Sequence, residues 1–370
     1  MKEGVLFEVT KECLETGLRG YPVGYCNTSF VDPMKGLYYM ERPIAELARK
    51  EPEQVMSLLW YGSEDTSIFS KELKKRNMPS KALLDGIRSL PRSGSPMKLL
   101  ASALLLAGML EGKNEYREDG LNIIAQMPAI VAACINHHAG WGEGQKPQPH
   151  LGYIENFVSM LNLPEKAPSG LVEVMKLFNI LHYDHGGGNL STFVGKAVAS
   201  GLEDMYGSMA SAILALSGPR HGRANQDCLD FVEEIRKTLG DAPSVDAIEK
   251  CIREKLARNE LVYGFGHAVL RVEDPRAVIF YELAKKNYSS HPLVRLAINI
   301  RQAGVKVLSE NPKISDPYPN VDAISGIVLM AAGFPYPDYL PLLFGMSRVV
   351  GIARQIVYER CEKNPFIYGN

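Results

Sequence analysis

Apolar residues recur three and four positions apart through most of the chain, which is the spacing of one face of an α-helix. After Pro52, for example, Val55, Leu58 and Leu59 follow this pattern, and Gly62 stands where a helix-ending glycine would. Alternating β-branched runs are nearly absent. The pattern therefore predicts an all-α protein, with further helices at 80–90, 171–183, 228–239, 244–257 and 346–362.

Turn-rich breaks divide the helical pattern and suggest a domain boundary. The chain has 370 residues, which is more than one hydrophobic core usually supports. The segment 223–332 lies between two of these breaks. We therefore predict that it forms a small helical domain, and that 1–222 and 333–370 form a large one.

The composition is that of an ordinary globular protein, with 46% hydrophobic and 22% charged residues. A net charge of -1 gives no indication of nucleic-acid binding, and the longest apolar stretch, near 99–110, is too short to span a bilayer. The six cysteines include no C-x-x-C pair, so we expect reduced, mostly buried thiols. With no apolar leader at the N-terminus, we expect a cytoplasmic location.

A glycine-hinged histidine followed by two arginines marks the first candidate site, in V-Y-G-F-G-H-A-V-L-R-V-E-D-P-R. Glycine on both sides of Phe265 lets the backbone approach a ligand closely. His267 can exchange a proton near neutral pH, and Arg271 and Arg276 offer guanidinium groups to carboxylate or phosphate. A dinucleotide-binding fingerprint is the weaker interpretation, because the third glycine is missing and no β-rich run precedes the motif.

His182 and His185 lie three residues apart, where a predicted helix breaks into the glycines 186–188. Two histidines on one helix face could bind a metal ion, but a further ligand is needed, and Asp184 is on the wrong side to chelate with both. We therefore predict no metal site. His182 is expected to have a core or capping role, and His185 is expected to bind a ligand beside exposed backbone N–H groups.

His221 and Asp322 are two further candidates, each preceded by a turn that contains proline. His221 is predicted to lie at the N-terminus of the next helix, which would keep the imidazole neutral and able to donate a hydrogen bond to a carbonyl oxygen. Asp322 precedes an apolar run, where a partly desolvated carboxylate is a stronger base. The alternatives are an ordinary turn histidine and a helix-capping aspartate.

Five motifs in chain order resemble the citrate synthase family. They are H-x-x-H-G-G-G-N-x-S, G-P-x-H-G-x-A-N, G-x-G-H-A-V-L-R-x-x-D-P-R, P-N-V-D-A-x-S-G and L-F-G-M-S-R, and the last of them ends at Arg348. The resemblance begins near 17–20 and covers nearly the whole chain. It implies a mainly α-helical homodimer in which an active-site cleft separates a large domain from a small one.

The resemblance also implies a role for each candidate residue. Asp322 would remove a methyl proton from acetyl-CoA, His221 would donate a hydrogen bond to the thioester carbonyl, and His267 would protonate the ketone of oxaloacetate. Acetyl-CoA would be a co-substrate, with no permanently bound cofactor. The carboxylates of oxaloacetate would be held by His185, Arg276 and Arg348, and Arg271 would contact the CoA phosphate.

The C-terminal tail departs from the family pattern. The family takes another substrate arginine from the tail of the partner subunit, yet no arginine follows Arg360 here, and Lys363 is a candidate substitute. The leading hypothesis is a citrate synthase that joins acetyl-CoA, oxaloacetate and water. The alternatives are a 2-methylcitrate synthase that uses propionyl-CoA and a non-catalytic relative that binds CoA or a dicarboxylate.

Overall fold

A computed structural model describes residues 8, 10–13, 23–219 and 221–363. Positions 17–20, where the resemblance begins, and positions 364–370 of the tail lie outside the described residues. The described part contains sixteen α-helices and three short strands, so the prediction of an all-α fold is confirmed.

The first ten helices and the small sheet lie in the N-terminal 216 residues. The antiparallel strands, in the order β1-β2-β3, are β1 (Ser29–Asp32), β2 (Gly36–Tyr39) and β3 (Arg42–Pro43). The helices are α1 (Ile44–Leu47), α2 (Pro52–Tyr61), α3 (Ser67–Arg76), α4 (Lys81–Ser89), α5 (Pro96–Glu111), α6 (Tyr116–Ala139), α7 (Tyr153–Met160), α8 (Leu171–His182), α9 (Leu190–Ser200) and α10 (Met205–Leu216).

Six more helices follow, and a 3₁₀ turn at Pro337–Tyr339 precedes the last of them. They are α11 (Ala224–Leu239), α12 (Val245–Ala257), α13 (Pro275–Asn287), α14 (Pro292–Ser309), α15 (Asp322–Ala331) and α16 (Leu340–Val357). Within this part, α11 packs on α15 and α14, and α12 packs on α14. The domain boundaries at 222/223 and 332/333 stay a prediction.

Local sequence signals set several helix ends as predicted. Pro52 occupies the first position of α2, and Gly62 ends that helix with φ of +75°. The Ser80 hydroxyl accepts the Leu83 N–H at 3.1 Å and caps α4. These ends depend on residues within one turn of each other, which is why the sequence alone indicates them.

The last helix differs from its prediction. It was predicted over 346–362 but begins at Leu340, because proline is tolerated in a first helical turn and Pro341 does not interrupt it. It ends at Val357, and one wider turn of π-helix continues to Lys363.

The prediction of mostly buried thiols is wrong, and the described part of the chain contains apolar helices longer than the stretch near 99–110. The helices Tyr116–Ala139 and Pro337–Glu362 are long and apolar enough to cross a membrane by length and composition, although their apolar windows are 89% and 94% buried inside the fold, as in core helices. Among the cysteines, Cys134 and Cys228 are buried and Cys361 is exposed, while the others are half-buried.

Candidate active site

The turn that carries His185 begins where α8 ends. Because that helix stops at His182, the two histidines do not share a helix face, which corrects the expectation from their spacing. His182 is buried, its Nδ1 lies 2.7 Å from the Phe178 carbonyl oxygen, and its ring stacks on Phe178. Burial lowers the pKa of His182 to about 3. His182 is therefore a neutral core residue, as predicted.

His185 presents an unpaired ring nitrogen. Its backbone N–H donates to Asp184 Oδ1 at 2.9 Å, while its Nε2 is buried and meets no hydrogen-bond partner among the described residues. Burial, with the nearby positive charge of Arg276, lowers the pKa of His185 well below its usual value. The ring is therefore neutral, and its Nε2 is a position for a polar ligand group.

His221 is oriented by a helix other than the one predicted. Its own helix α11 begins only at Ala224, whereas its Nε2 accepts the Ser191 N–H at 3.2 Å and lies 2.9 Å from the Ser191 hydroxyl. Ser191 is the second residue of α9, so the imidazole faces the positive end of that helix. Burial and Arg348 lower the pKa of His221 to about 4. The proton of the neutral ring therefore sits on Nδ1.

His267 has the opposite tautomer. Its Nδ1 accepts the backbone N–H groups of Val269 at 3.0 Å and Leu270 at 2.9 Å, so the ring proton is on Nε2. Gly264 and Gly266 have φ of +83° and +84°, which supports the prediction of a glycine hinge. Burial and Arg276 lower the pKa of His267 to about 4.

The loop of His267 is hydrogen-bonded to the loop of Asp322. Gly266 N donates to the Tyr318 carbonyl at 2.9 Å, and Asn320 Nδ2 donates to the Gly266 carbonyl at 3.0 Å. Asp322 is the first residue of α15 and is half-buried. Burial raises the pKa of its carboxyl group to about 6, so Asp322 is a stronger base than an aspartate in water.

Arg276 is paired with an acid that the sequence reasoning passed over. Its Nη2 donates to Asp274 Oδ2 at 2.7 Å and its Nε donates to Oδ1 at 3.0 Å, with both side chains buried. Burial alone would raise the pKa of Asp274, but the Arg276 charge lowers it below its usual value. The guanidinium is thereby held in place, and its Nη1 has no hydrogen-bond partner in the described part of the chain.

Arg348 is buried on α16 and faces the same site. Its Nε donates to the His182 carbonyl at 2.9 Å, its Nη1 donates to Asn189 Oδ1 at 3.3 Å, and its guanidinium carbon lies 4.7 Å from the centre of the Phe344 ring. Burial lowers the pKa of Arg348 to about 10, so the group is still charged at neutral pH. Arg348 therefore brings a positive charge into a desolvated setting.

The structure brings six of the seven candidates together and leaves one at the surface. The ring centres of His185 and His267 lie 5.2 Å apart. The positive charges of Arg276 and Arg348 each contribute to lowering the pKa of His185, and each opposes the rise that burial causes in the pKa of Asp322. Arg271 is exposed, and its Nη1 donates to the Leu270 carbonyl at 2.6 Å.

The sequence reasoning gave no role to Ser191, Asn189 or Asp274, although all three lie inside the quoted motifs. Asn189 was detectable as a helix N-cap, since a short polar residue precedes an apolar helical run. The other two depend on contacts that no local pattern reveals. No cluster of three or more His, Cys, Asp or Glu side chains that could hold a metal ion occurs within the described ranges.

The amino-acid sequence matches that of a known protein family. The sequence model described as "Citrate synthase, C-terminal domain" matches residues 17–368. The chain belongs to the citrate synthase family. It is 31% identical to the mitochondrial citrate synthase of Daucus carota, over 96% of this chain and 80% of that protein. It is 29% identical to the peroxisomal citrate synthase of Saccharomyces cerevisiae, over 95% of this chain and 82% of that protein.

Solved structures agree with the family assignment. Citrate synthase from Thermotoga maritima superposes with a TM-score of 0.81 at 26% identity, covering 96% of this chain and 94% of that one. Citrate synthase from Thermoplasma acidophilum, in a ternary complex with carboxymethyl coenzyme A and oxaloacetate, gives 0.83 at 26% identity with the same coverage. The predicted family, fold and enzyme class, an acyltransferase of the citrate synthase type, are thus confirmed.

Proposed function

We propose that this member of the family condenses acetyl-CoA with oxaloacetate and water to give citrate and CoA through an enol. The observation that carries the proposal is a pair of neutral histidines with opposite tautomers. His221 has its proton on Nδ1 and His267 has its proton on Nε2, and the site also holds the strengthened base Asp322. Two donors and one base are what enol formation followed by attack on a ketone requires.

Asp322 and His221 form the enol. The carboxylate of Asp322 takes a methyl proton of acetyl-CoA, and the electron pair of that C–H bond moves toward the thioester carbonyl. The Nδ1–H of His221 donates to the carbonyl oxygen as negative charge develops there. Each positioned acid or base contributes about 10²–10⁴-fold to the rate.

His267 completes the condensation. The enol carbon attacks the ketone carbon of oxaloacetate, and the Nε2–H of His267 supplies the proton that the new alkoxide oxygen needs. Hydrolysis of the resulting citryl-CoA by water then releases CoA and citrate. Closure of the cleft would exclude water until the carbon–carbon bond has formed.

The charged groups are suited to a dicarboxylate and a phosphate. His185 Nε2, Arg276 Nη1 and the guanidinium of Arg348 are available to the two carboxylates of oxaloacetate. Arg271 is exposed, which suits a contact with a phosphate of CoA. The unpaired donors and the exposure of Arg271 support the assignment of all four residues as binding residues.

A homodimer is part of the same proposal. The two packed helices α5 and α10 expose apolar side chains, with Leu105 47%, Met109 77% and Leu214 47% exposed. An exposed apolar patch of this kind suits a subunit interface. Light scattering coupled to size exclusion should give twice the mass of one chain. The cytoplasmic location stays a prediction, and the Daucus carota and Saccharomyces cerevisiae relatives named above are mitochondrial and peroxisomal.

A thiol-release assay tests the proposed function. The purified chain is supplied with oxaloacetate and either acetyl-CoA or propionyl-CoA, and free CoA thiol is followed with time. We expect kcat/KM to be higher for acetyl-CoA by about 10–200-fold, the usual value of one methylene group. A preference for propionyl-CoA would indicate the 2-methylcitrate reaction, and no thiol release from a folded dimer would indicate a non-catalytic relative.

A further inference from the structure

The turn that carries His185 is held through its backbone. In the described part of the chain, the hydrogen bonds of His185 involve its backbone and not its ring. Its N–H donates to Asp184 Oδ1 at 2.9 Å, and its carbonyl accepts Asn189 Nδ2 at 3.4 Å. The position of the ring, and of the Nε2 that is proposed to bind oxaloacetate, therefore depends on how firmly this turn is fixed.

The side chain of Asp184 is the centre of that support. It is 0% exposed, and its Oδ2 accepts the hydroxyl groups of Thr28 and Ser29, the latter at 2.7 Å. Ser29 Oγ also accepts the Gly186 N–H at 2.7 Å, so the residues on both sides of His185 are tied to strand β1. Hydrogen bonds to a carboxylate are stronger than those between neutral groups, so this buried carboxylate is a firm anchor.

Helix α16 supports the same turn from another direction. Arg348, Gly351 and Gln355 lie three and four positions apart, so they share one face of this helix. Arg348 Nε donates to the His182 carbonyl at 2.9 Å, and the Gly351 N–H donates to the Tyr183 carbonyl at 3.1 Å. One helix face therefore contacts consecutive residues at the start of the turn.

Gln355 extends this face to the Asp184 carboxylate. It is 2% exposed, and its Nε2 donates to Asp184 Oδ1 at 2.9 Å and lies 3.5 Å from the Gly186 carbonyl oxygen. Only the NH₂ end of an amide can donate to a carboxylate, so this contact fixes the orientation of the side chain. The carboxylate oxygen that accepts the His185 N–H is thus itself held by Gln355.

We propose that Gln355 is a positioning residue for the recognition of oxaloacetate. Its amide holds the Asp184 carboxylate, that carboxylate holds the His185 backbone, and the His185 ring is thereby kept facing a substrate carboxylate. Because Arg348 lies on the same helix face, two binding groups from distant segments keep one fixed arrangement, and a preformed arrangement loses less entropy on binding. The inference rests on the proposed function, because it takes His185 as a binding residue for oxaloacetate.

The decisive variant is Gln355→Met in the full chain, which keeps the length of the side chain and removes the donor. Gln126→Met is the matched control, because Gln126 is 6% exposed and its Nε2 donates to Glu111 Oε2 at 2.7 Å. In both glutamines the amide oxygen is buried and has no hydrogen-bond partner within the described ranges. The two variants therefore remove the same kind of hydrogen bond, and only one of them touches the His185 turn.

The measurement is the dissociation constant of oxaloacetate by isothermal titration, together with the unfolding temperature of each variant. We expect Gln355→Met to weaken the affinity by about tenfold or more, because a hydrogen bond to a charged group is lost beside the binding residue. Gln126→Met should bind oxaloacetate as the wild type does, with a similar fall in unfolding temperature. An equal loss of affinity in both variants would make the effect one of general stability and would overturn the inference.

A double-mutant cycle with His185→Ala tests whether Gln355 acts through His185. His185→Ala should weaken oxaloacetate binding by itself. Adding Gln355→Met should then cost little more, because the ring that Gln355 positions is gone. If the double variant instead shows the full sum of the two losses, Gln355 does not act through His185 and the inference is wrong.

Gln355→Asn keeps the inference testable if Gln355→Met does not fold. Its amide is one methylene too short to reach Asp184, so we expect a similar loss of affinity. Wild-type affinity in either folded variant overturns the positioning role. If the wild type binds oxaloacetate but releases no thiol, the proposed function fails while the measured affinities still decide the role of Gln355. If the wild type does not bind oxaloacetate, both fail.

Discussion

Replacing Asp322 with asparagine should stabilise the protein while abolishing its chemistry. Burial raises the pKa of this carboxyl group from 3.8 to about 6, so the folded protein retains a proton that the unfolded chain would release. Stability is therefore lost as pH rises from about 4 to about 6, and the loss is complete above that range. A shift of about two units corresponds to about 3 kcal/mol at neutral pH.

Asp322→Asn removes this cost because an amide carries no charge. With an unfolding entropy of about 2.1 cal/mol/K per residue, 3 kcal/mol over 370 residues raises Tm by about 4 °C near pH 8. Near pH 5 only about half of the penalty is present, so the gain should be about 2 °C. The kcat should fall by about 10²-fold or more, since an amide cannot accept the methyl proton.

Scanning calorimetry at a fixed protein concentration, near pH 5 and near pH 8, measures the effect, and thiol release measures kcat. Asp246→Asn is the control, because Asp246 is also in the first turn of a helix but is exposed. Because its side chain is exposed, burial of a charge should contribute nothing to any change in Tm that this variant shows. An unchanged Tm for Asp322→Asn near pH 8, or an equal gain at both pH values, would refute the argument that burial sets the strength of this base.

Four further predictions each concern a single side chain. His221→Ala should lower kcat by about 10²–10⁴-fold with oxaloacetate affinity nearly unchanged by titration calorimetry, and a collapsed affinity would contradict its role. Arg276→Lys should raise KM for oxaloacetate, because a point charge replaces a planar fork; an unchanged KM and kcat would remove Arg276 from the site. The buried Lys196 Nζ lies 2.8 Å from Glu359 Oε1, so Lys196→Met leaves the buried carboxylate of Glu359 without its ion-pair partner. It should destabilise the fold by about 3–5 kcal/mol in chemical denaturation, and Lys196→Arg should recover most of the loss. Oxaloacetate affinity should be modest and weaken with salt, and Lys363→Ala should leave it nearly intact in the same titration; a large loss would make Lys363 the substitute for the absent tail arginine.

The sequence by itself determined the helices and the identity of the chemical groups. Helix ends such as those at Pro52, Gly62 and Ser80 depend on steric and hydrogen-bonding preferences within one turn, so the local order of residues is sufficient. The five motifs identified the family, because a chain is very unlikely to carry all five in the same order by accident. The predicted pairing of His182 and His185 on one face failed, since the spacing does not show where the helix stops.

The tertiary structure alone decided how those groups behave. The tautomer of His221 is set by an N–H group thirty positions away in the sequence, on the helix that begins after Asn189. The strands β1 and β2 are four residues each, too short for an alternating pattern, and the hairpin that they form contacts Gly186 and Arg271 only in the packed fold. Burial, which raises the pKa of Asp322 and lowers those of the histidines, is a property of packed neighbours from distant segments. Local sequence encodes backbone preferences, whereas desolvation and long-range hydrogen bonds exist only once the chain has packed.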